Sequence, residues 1–247
     1  MNGAGTLAML YANGSGVPRN YNLAIRFACE LEDAAEAETE LRVGRLEALR
    51  DGKLPAGTRF DLCDDQISGA MGAYCEGLAE EQSDVARSRR IEAIRKQLPE
   101  QAKAMLPELQ AAEKAFDEAR SRGEYTGGGG SGAGGFVTGD ENRLREQFVI
   151  NLERFAAGKV PKATAADREQ AEGQLKVAYD ALSAMPLDPN AVGEPTHEGI
   201  KATQDAWQAL FRDWMQFVPE AYPELSPDAA ATELLRLRIH QIRKVLN

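Results

Sequence analysis

A chain of 247 residues has room for one large or two modest domains, and 43% hydrophobic residues are enough for a packed core. Its formal net charge of −10 and pI near 4.9 set it against nucleic acid, whose phosphates it would repel, and suit a basic protein partner. No apolar stretch reaches the roughly 18 to 20 residues of a membrane span. Aromatic residues are only 6%, while Ala, Leu, Glu and Arg abound, a balance that favours helices over sheets.

The opening, MNGAGTLAML, lacks the charged start and apolar run of a signal peptide, which points to a cytoplasmic protein or a trimmed secreted one. Leu7, Leu10 and Tyr11 mark a first helical turn, NGSGVPRN breaks it, and Tyr21, Ala24 and Ile25 begin a second amphipathic helix. This helix-turn-helix resembles one SEL-type repeat of the tetratricopeptide superfamily. A single copy buries its face only by docking on the next helix, so residues 1–58 are expected to form a cap rather than a superhelix. A third helix over about 34–50 stops at DGKLPAGTRF, where Gly52, Pro55 and Gly57 break it.

Residues 59–247 read as a larger helical domain. The pattern predicts a helix over 66–97 anchored by Leu78, Val85, Ile91 and Ile94, an interruption at Leu98-Pro99, and a helix over 100–120. Nine glycines between Gly123 and Gly139 predict a mobile loop. That run has neither a Lys-Ser/Thr ending nor a preceding strand, so it is not a phosphate cradle. Leu144, Phe148, Leu152 and Phe155 outline another helix. Thr164 and Asp167 then lead into one whose inner face is Ala171, Leu175, Ala178, Tyr179 and Leu182. Three prolines make 186–199 an irregular connection. In the helix over 199–222, Trp207, Phe211 and Trp214 recur at i, i+4 and i+7 as a core stripe. Gln204 and Arg212 flank it as residues that fix a helix crossing. A last helix over about 228–245 ends basic, as its dipole prefers. The expected fold is all-α, an antiparallel helical bundle with long interhelical loops and the repeat-like cap.

Three cysteines occur, Cys29, Cys63 and Cys75. The spacing of the last two fits neither a redox C-x-x-C pair nor a zinc site, so a disulfide is the expectation. In one straight helix residues 63 and 75 would stand about 18 Å apart, against the roughly 4.4 to 6.8 Å a disulfide permits between Cα atoms. Either Gly69 and Gly72 break the helix, or Cys29 pairs with one of the two. His197 and His240 lie far from metal-ligand spacing or a nucleophile motif, and no catalytic constellation stands out. Charge is uneven: Glu30 to Glu40 holds six acids and no base, and Asp61 to Asp84 seven more, so the two windows carry −13 and the rest about +3. Their meeting would make an acidic pole beside the cysteines.

Gln204, two residues, Trp207, then Arg212-Asp213 and further aromatics resemble the C-terminal helix of the LprI-like lysozyme-inhibitor family of secreted bacterial helical proteins. FDLCDDQISGAMGAYC, FDEAR before the glycine run, LREQFVINLERFAAGKVP after it, AEGQLKVAY and YPELSPDA extend the resemblance over nearly the whole chain. It departs at Lys176, where the family often has asparagine. The resemblance implies a periplasmic or secreted, non-enzymatic protein without metal or cofactor that binds basic lysozyme-type peptidoglycan hydrolases and occludes their cleft. An immunity protein against one bacterial muramidase toxin and an envelope scaffold are the alternatives. Glu30, Glu36, Asp64, Asp65 and Glu76 of the acidic windows, with Gly128 and Ser131 of the glycine run, are the candidate contacts. The run itself and 186–199 are the candidate plugs.

Overall fold

The computed structural model describes residues 3–31, 35–126, 130, 132–188 and 193–247, and these are all-α, with nine helices and no strand. They are α1 (Ala4–Asn13), α2 (Tyr21–Cys29), α3 (Glu36–Arg50), α4 (Gly69–Arg95), α5 (Glu100–Gly123), α6 (Ala133–Ala156), α7 (Ala165–Ser183), α8 (His197–Ala221) and α9 (Pro227–Leu246). Short polar side chains start several of them by accepting an otherwise orphaned amide proton. Asn20 accepts from Leu23 N, Thr196 from Gly199 N and Ser226 from Ala229 N, the last with Pro227 at the first helical position. Thr164 and Asp167 cap α7 reciprocally. Gly14, at φ 64°, closes α1 in the left-handed conformation that glycine adopts freely.

The chain divides into two compact units: residues 1–80 with 130–138, and residues 81–129 with 139–247. Helices α4 and α6 each contribute to both, and residue 58 falls inside the first unit. In that unit α1 lies on α2 and α2 on α3. Their contact faces are small: Ala4, Ala8 and Ala12 of α1 and Ala24 and Ala28 of α2 pack with Leu31, Leu46, Phe60 and Leu62. Alanine faces let helix axes approach closely. Asn13 ties the end of α1 to the chain ahead of α4, its side chain donating to Phe60 O at 2.8 Å and accepting from Phe60 N at 2.9 Å.

In the second unit α5 runs along α8, α7 along α9, and α8 also meets α9. Trp214 is the centre of its core, edge-on to Phe155 and Phe217 and tilted against Phe148, with Leu109, Leu152, Leu235 and Ile239 also buried. Trp207 is buried as well and stacks on Phe211.

Three expectations are corrected. The glycine run is not one loop: α5 extends to Gly123 and α6 starts at Ala133. Two of its glycines serve close approach instead. A Cβ on Gly123 would meet the backbone and side chain of α8 at Gly199 and Thr203, and one on Gly135 would meet the Ala73 backbone 2.9 Å away. Val85 is 54% exposed rather than an anchor, because nine residues separate it from Ile94, about half a turn out of phase. Arg212 is exposed, five residues and therefore roughly 140° round the helix from Trp207, so it fixes no crossing.

Candidate partner-binding site

In the first unit, three acid and base side chains on one face of α3, at positions 38, 42 and 45, hold the segment 61–68 in place. Glu38 is fully buried, and its Oε1 accepts the amide protons of Ile67 at 2.7 Å and Ser68 at 2.6 Å, while its Oε2 accepts that of Ala35 at the start of α3. Burial favours the neutral acid, yet the N–H groups of Ser68 and Ile67 outweigh it and hold the carboxyl below its ordinary range. Arg42, also fully buried, sits 3.7 Å from Glu38 and donates to Leu62 O at 3.4 Å. Arg45 reaches Asp65 with two bonds of 2.9 Å and Asp64 with one of 3.1 Å. The far side of the segment is fastened by the disulfide Cys63–Cys75, with Cα atoms 5.7 Å apart, which joins it to the second turn of α4. The pairing is possible because Cys63 lies in the turn before α4 rather than in a continuous helix. Cys29 is a free, exposed thiol.

This clamp presents apolar side chains that the core does not take. Ile67 is 63% exposed, and Leu41, one turn beyond Glu38 on α3, is 49% exposed. Glu36 and Glu40 on α3, and Glu76 next to the disulfide on α4, are carboxylates that stand in water, the first two on the face of α3 turned away from the clamp. The unit as a whole carries thirteen acidic against seven basic residues.

The acidic windows are therefore not a uniform acidic face. Glu38 and Glu80 are buried, and Asp65 keeps only 11% of its side chain in solvent under Arg45. Asp64 is half exposed but shares the same guanidinium. Glu30, at the C-terminal end of α2, is 2.9 Å from Arg26. Glu30, Glu36, Asp64 and Glu76 are the candidate acids that stand exposed, Glu30 and Asp64 each beside an arginine. Gly128 and Ser131 lie outside the described residues, as does part of 186–199.

The second unit holds polar groups that the sequence pattern did not reveal. Glu124 and Arg238 form a fully buried ion pair, with a bond of 2.8 Å from Nη1 to Oε2 and a second, parallel one. Gln204 Oε1 accepts from Arg238 at 3.4 Å, which places its side chain where α8 meets α9. Arg238 also lies over the Phe116 ring, 5.5 Å from its centroid. Glu124 was hidden because it opens the glycine run, and Arg238 because it sits among the basic residues that a helix C-terminus favours. Among the described residues no group of three or more His, Cys, Asp or Glu side chains is arranged to hold a metal ion, and His197 and His240 are exposed. Among the described residues no helix is long and apolar enough to cross a membrane. Set against models of protein families, curated proteins and solved structures, the chain matches none.

Proposed function

We propose that this protein is a non-enzymatic binder of basic proteins in an oxidising compartment, the periplasm or cell exterior, and that its target is a lysozyme-type peptidoglycan hydrolase. The observation that carries the proposal is the clamped segment 61–68. A loop fastened by a disulfide and three buried or half-buried side chains loses little freedom on binding, so its exposed Ile67 meets a partner at small entropic cost. Leu41 and Ile67 offer exposed apolar surface for a partner, and the unit's thirteen acids against seven bases give it the negative charge that draws a basic one. Such charge speeds encounter with a basic surface. The disulfide favours a compartment without a reducing glutathione pool. The choice of a lysozyme-type enzyme rests on the resemblance of the tryptophan helix and its flanking segments to the LprI-like inhibitors.

Inhibition on this reading is occlusion: the exposed Leu41 of α3 and the segment 61–68 fastened to that helix, together the α3 ridge, cover the glycan cleft and no bond is made or broken. The test is a cell-wall clearing assay with a panel of animal and bacterial muramidases, comparing the wild-type protein with Leu41→Asp/Ile67→Asp. Inhibition by the wild type and a loss of at least tenfold in the double variant are expected. Equal potency of the two proteins would remove the α3 ridge from the interface. Inhibition of one bacterial enzyme alone would favour an immunity protein.

A further inference from the structure

Asp117, on α5 in the second unit, has no exposed surface, and neither of its carboxyl oxygens has a hydrogen-bond partner. The nearest cation is Arg145, whose Nε lies 4.0 Å from Asp117 Oδ2, beyond hydrogen-bond reach. The other guanidinium nitrogens of Arg145 point elsewhere, one 3.4 Å from Glu141 and one 3.7 Å from Asp84. Asp117 lines a cleft of about 330 Å³ between α4, α5 and α6, and Glu113, one turn earlier on α5, lines the same cleft. Ile91, Phe148 and Val149 give it an apolar side. Buried carboxyl groups are hydrogen-bonded as a rule. Asp117 shows no surface to water in this structure, so a ligand in the cleft it lines reaches its carboxyl only as the side chain turns outward, and the donor brought there then satisfies oxygens otherwise left bare.

We propose that this cleft binds a small organic cation, an alkylammonium or aralkylammonium whose N–H groups bond to Asp117 and Glu113 while its carbon body lies against Ile91, Phe148 and Val149. An ammonium carries three donors and no acceptor, which matches two bare carboxyl oxygens and a neighbouring carboxyl. A metal ion is a poorer match, since no third acidic, histidine or cysteine ligand joins the two among the described residues. The site belongs to the second unit and does not depend on the function proposed for the first.

The binding is linked to protons. Burial pushes Asp117 up to about 8, and burial together with the charge of Asp117 pushes Glu113 well above its ordinary value. The charged groups facing the pair are Asp84 and Arg87 from α4, Lys114 and Arg120 from α5, and Asp140, Glu141 and Arg145 from α6. Arg87 is bonded to Asp84, and Arg120 to Asp140. Near pH 7 the empty site holds a proton that an entering ammonium displaces, so affinity rises about tenfold per pH unit up to about pH 8 for each proton released.

The experiment is calorimetric titration of the full-length protein with n-butylammonium chloride and, as the uncharged analogue of the same size, 1-butanol. It is run at pH 6, 7 and 8 in two buffers of different ionisation heat, alongside the ¹³C resonance of the Asp117 carboxyl. Saturable binding of the amine at least tenfold tighter than of the alcohol, proton release at pH 7, and movement of the Asp117 resonance to its ionised position are expected. Asp117→Asn should bring the amine down to the level of the alcohol, and Glu113→Gln should weaken it at least threefold. An amine that binds no tighter than the alcohol overturns the proposal. So does a wild-type Asp117 resonance that amine leaves unmoved, a result that holds even if the Asn variant does not fold.

Discussion

Glu124 and Arg238 are each without exposed surface and are held to one another by paired bonds. Removing the acid alone strands a cation in the core, so Glu124→Gln should lower unfolding free energy by roughly 3–5 kcal/mol, read from urea denaturation. Replacing both residues together by apolar ones should cost much less, since no charge is then left uncompensated. Asp117 acts in the opposite sense. Its pKa is raised from an ordinary carboxyl value to about 8 by burial, so between about pH 4 and pH 8 the folded protein holds a proton that the unfolded chain has released. Stability from this group is therefore greatest below pH 4 and falls as pH rises, by at most about 1.4 kcal/mol per unit, levelling near pH 8. Asp117→Asn should flatten that slope, and melting temperatures measured from pH 4 to pH 8 will show it. At this scale the sequence was readable where periodicity speaks. Trp207 and Trp214 are core because the i, i+7 spacing puts both on one face, whereas Arg212, at i+5, could not share it. Glu124, Asp117 and Glu38 were unreadable, since a buried acid among 39 acids carries no local mark and is identified only by the distant residues it meets.

Among the elements, α5 and α8 touch where Gly123 faces Gly199, and neither position has room for a Cβ. Gly123→Ala should destabilise by about 1–3 kcal/mol by forcing the two helices apart. Gly173, on α7 with open space around it, provides the contrast: Gly173→Ala should stabilise by about 0.5–1 kcal/mol through helix propensity alone. Thermal unfolding of the two variants tests both signs. Composition made the glycine run look like a single loop, because low side-chain volume reads the same whether it permits motion or close contact. The caps at Asn20, Thr164, Thr196 and Ser226 bound α2, α7, α8 and α9 with side-chain bonds, and the edges of those helices lie close to where the pattern put them. The Cys63–Cys75 bridge was one of three pairings that the spacing allowed; what selected it is the turn ahead of α4, which the glycines at 69 and 72 only hinted at. Reduction, or Cys63→Ser/Cys75→Ser, should cost roughly 2–4 kcal/mol. It should also raise hydrogen exchange at the Ile67 and Ser68 amides, which Glu38 holds.

For the molecule as a whole, the all-helical architecture followed from composition and periodicity, whereas the charge distribution did not reduce to counting. Two acidic windows were legible, but Glu38, Glu80 and Asp65 are turned inward or covered, while Glu36 and Glu40 on α3 and Glu76 on α4 stay in water. Charge of that kind accelerates association with a basic protein and is screened beyond about 8 Å at physiological ionic strength. The apolar surface at Leu41 and Ile67 should be felt in the dissociation rate instead. The most direct measurement is the association and dissociation rate of the oxidised protein with a basic muramidase at 20 mM and 300 mM salt, beside the activity of that enzyme. A stable complex is expected in which cell-wall clearing is blocked, with association slowed at least tenfold by salt and dissociation little changed. A protein that forms no complex with any muramidase at low salt, or that binds without slowing the enzyme, would contradict it.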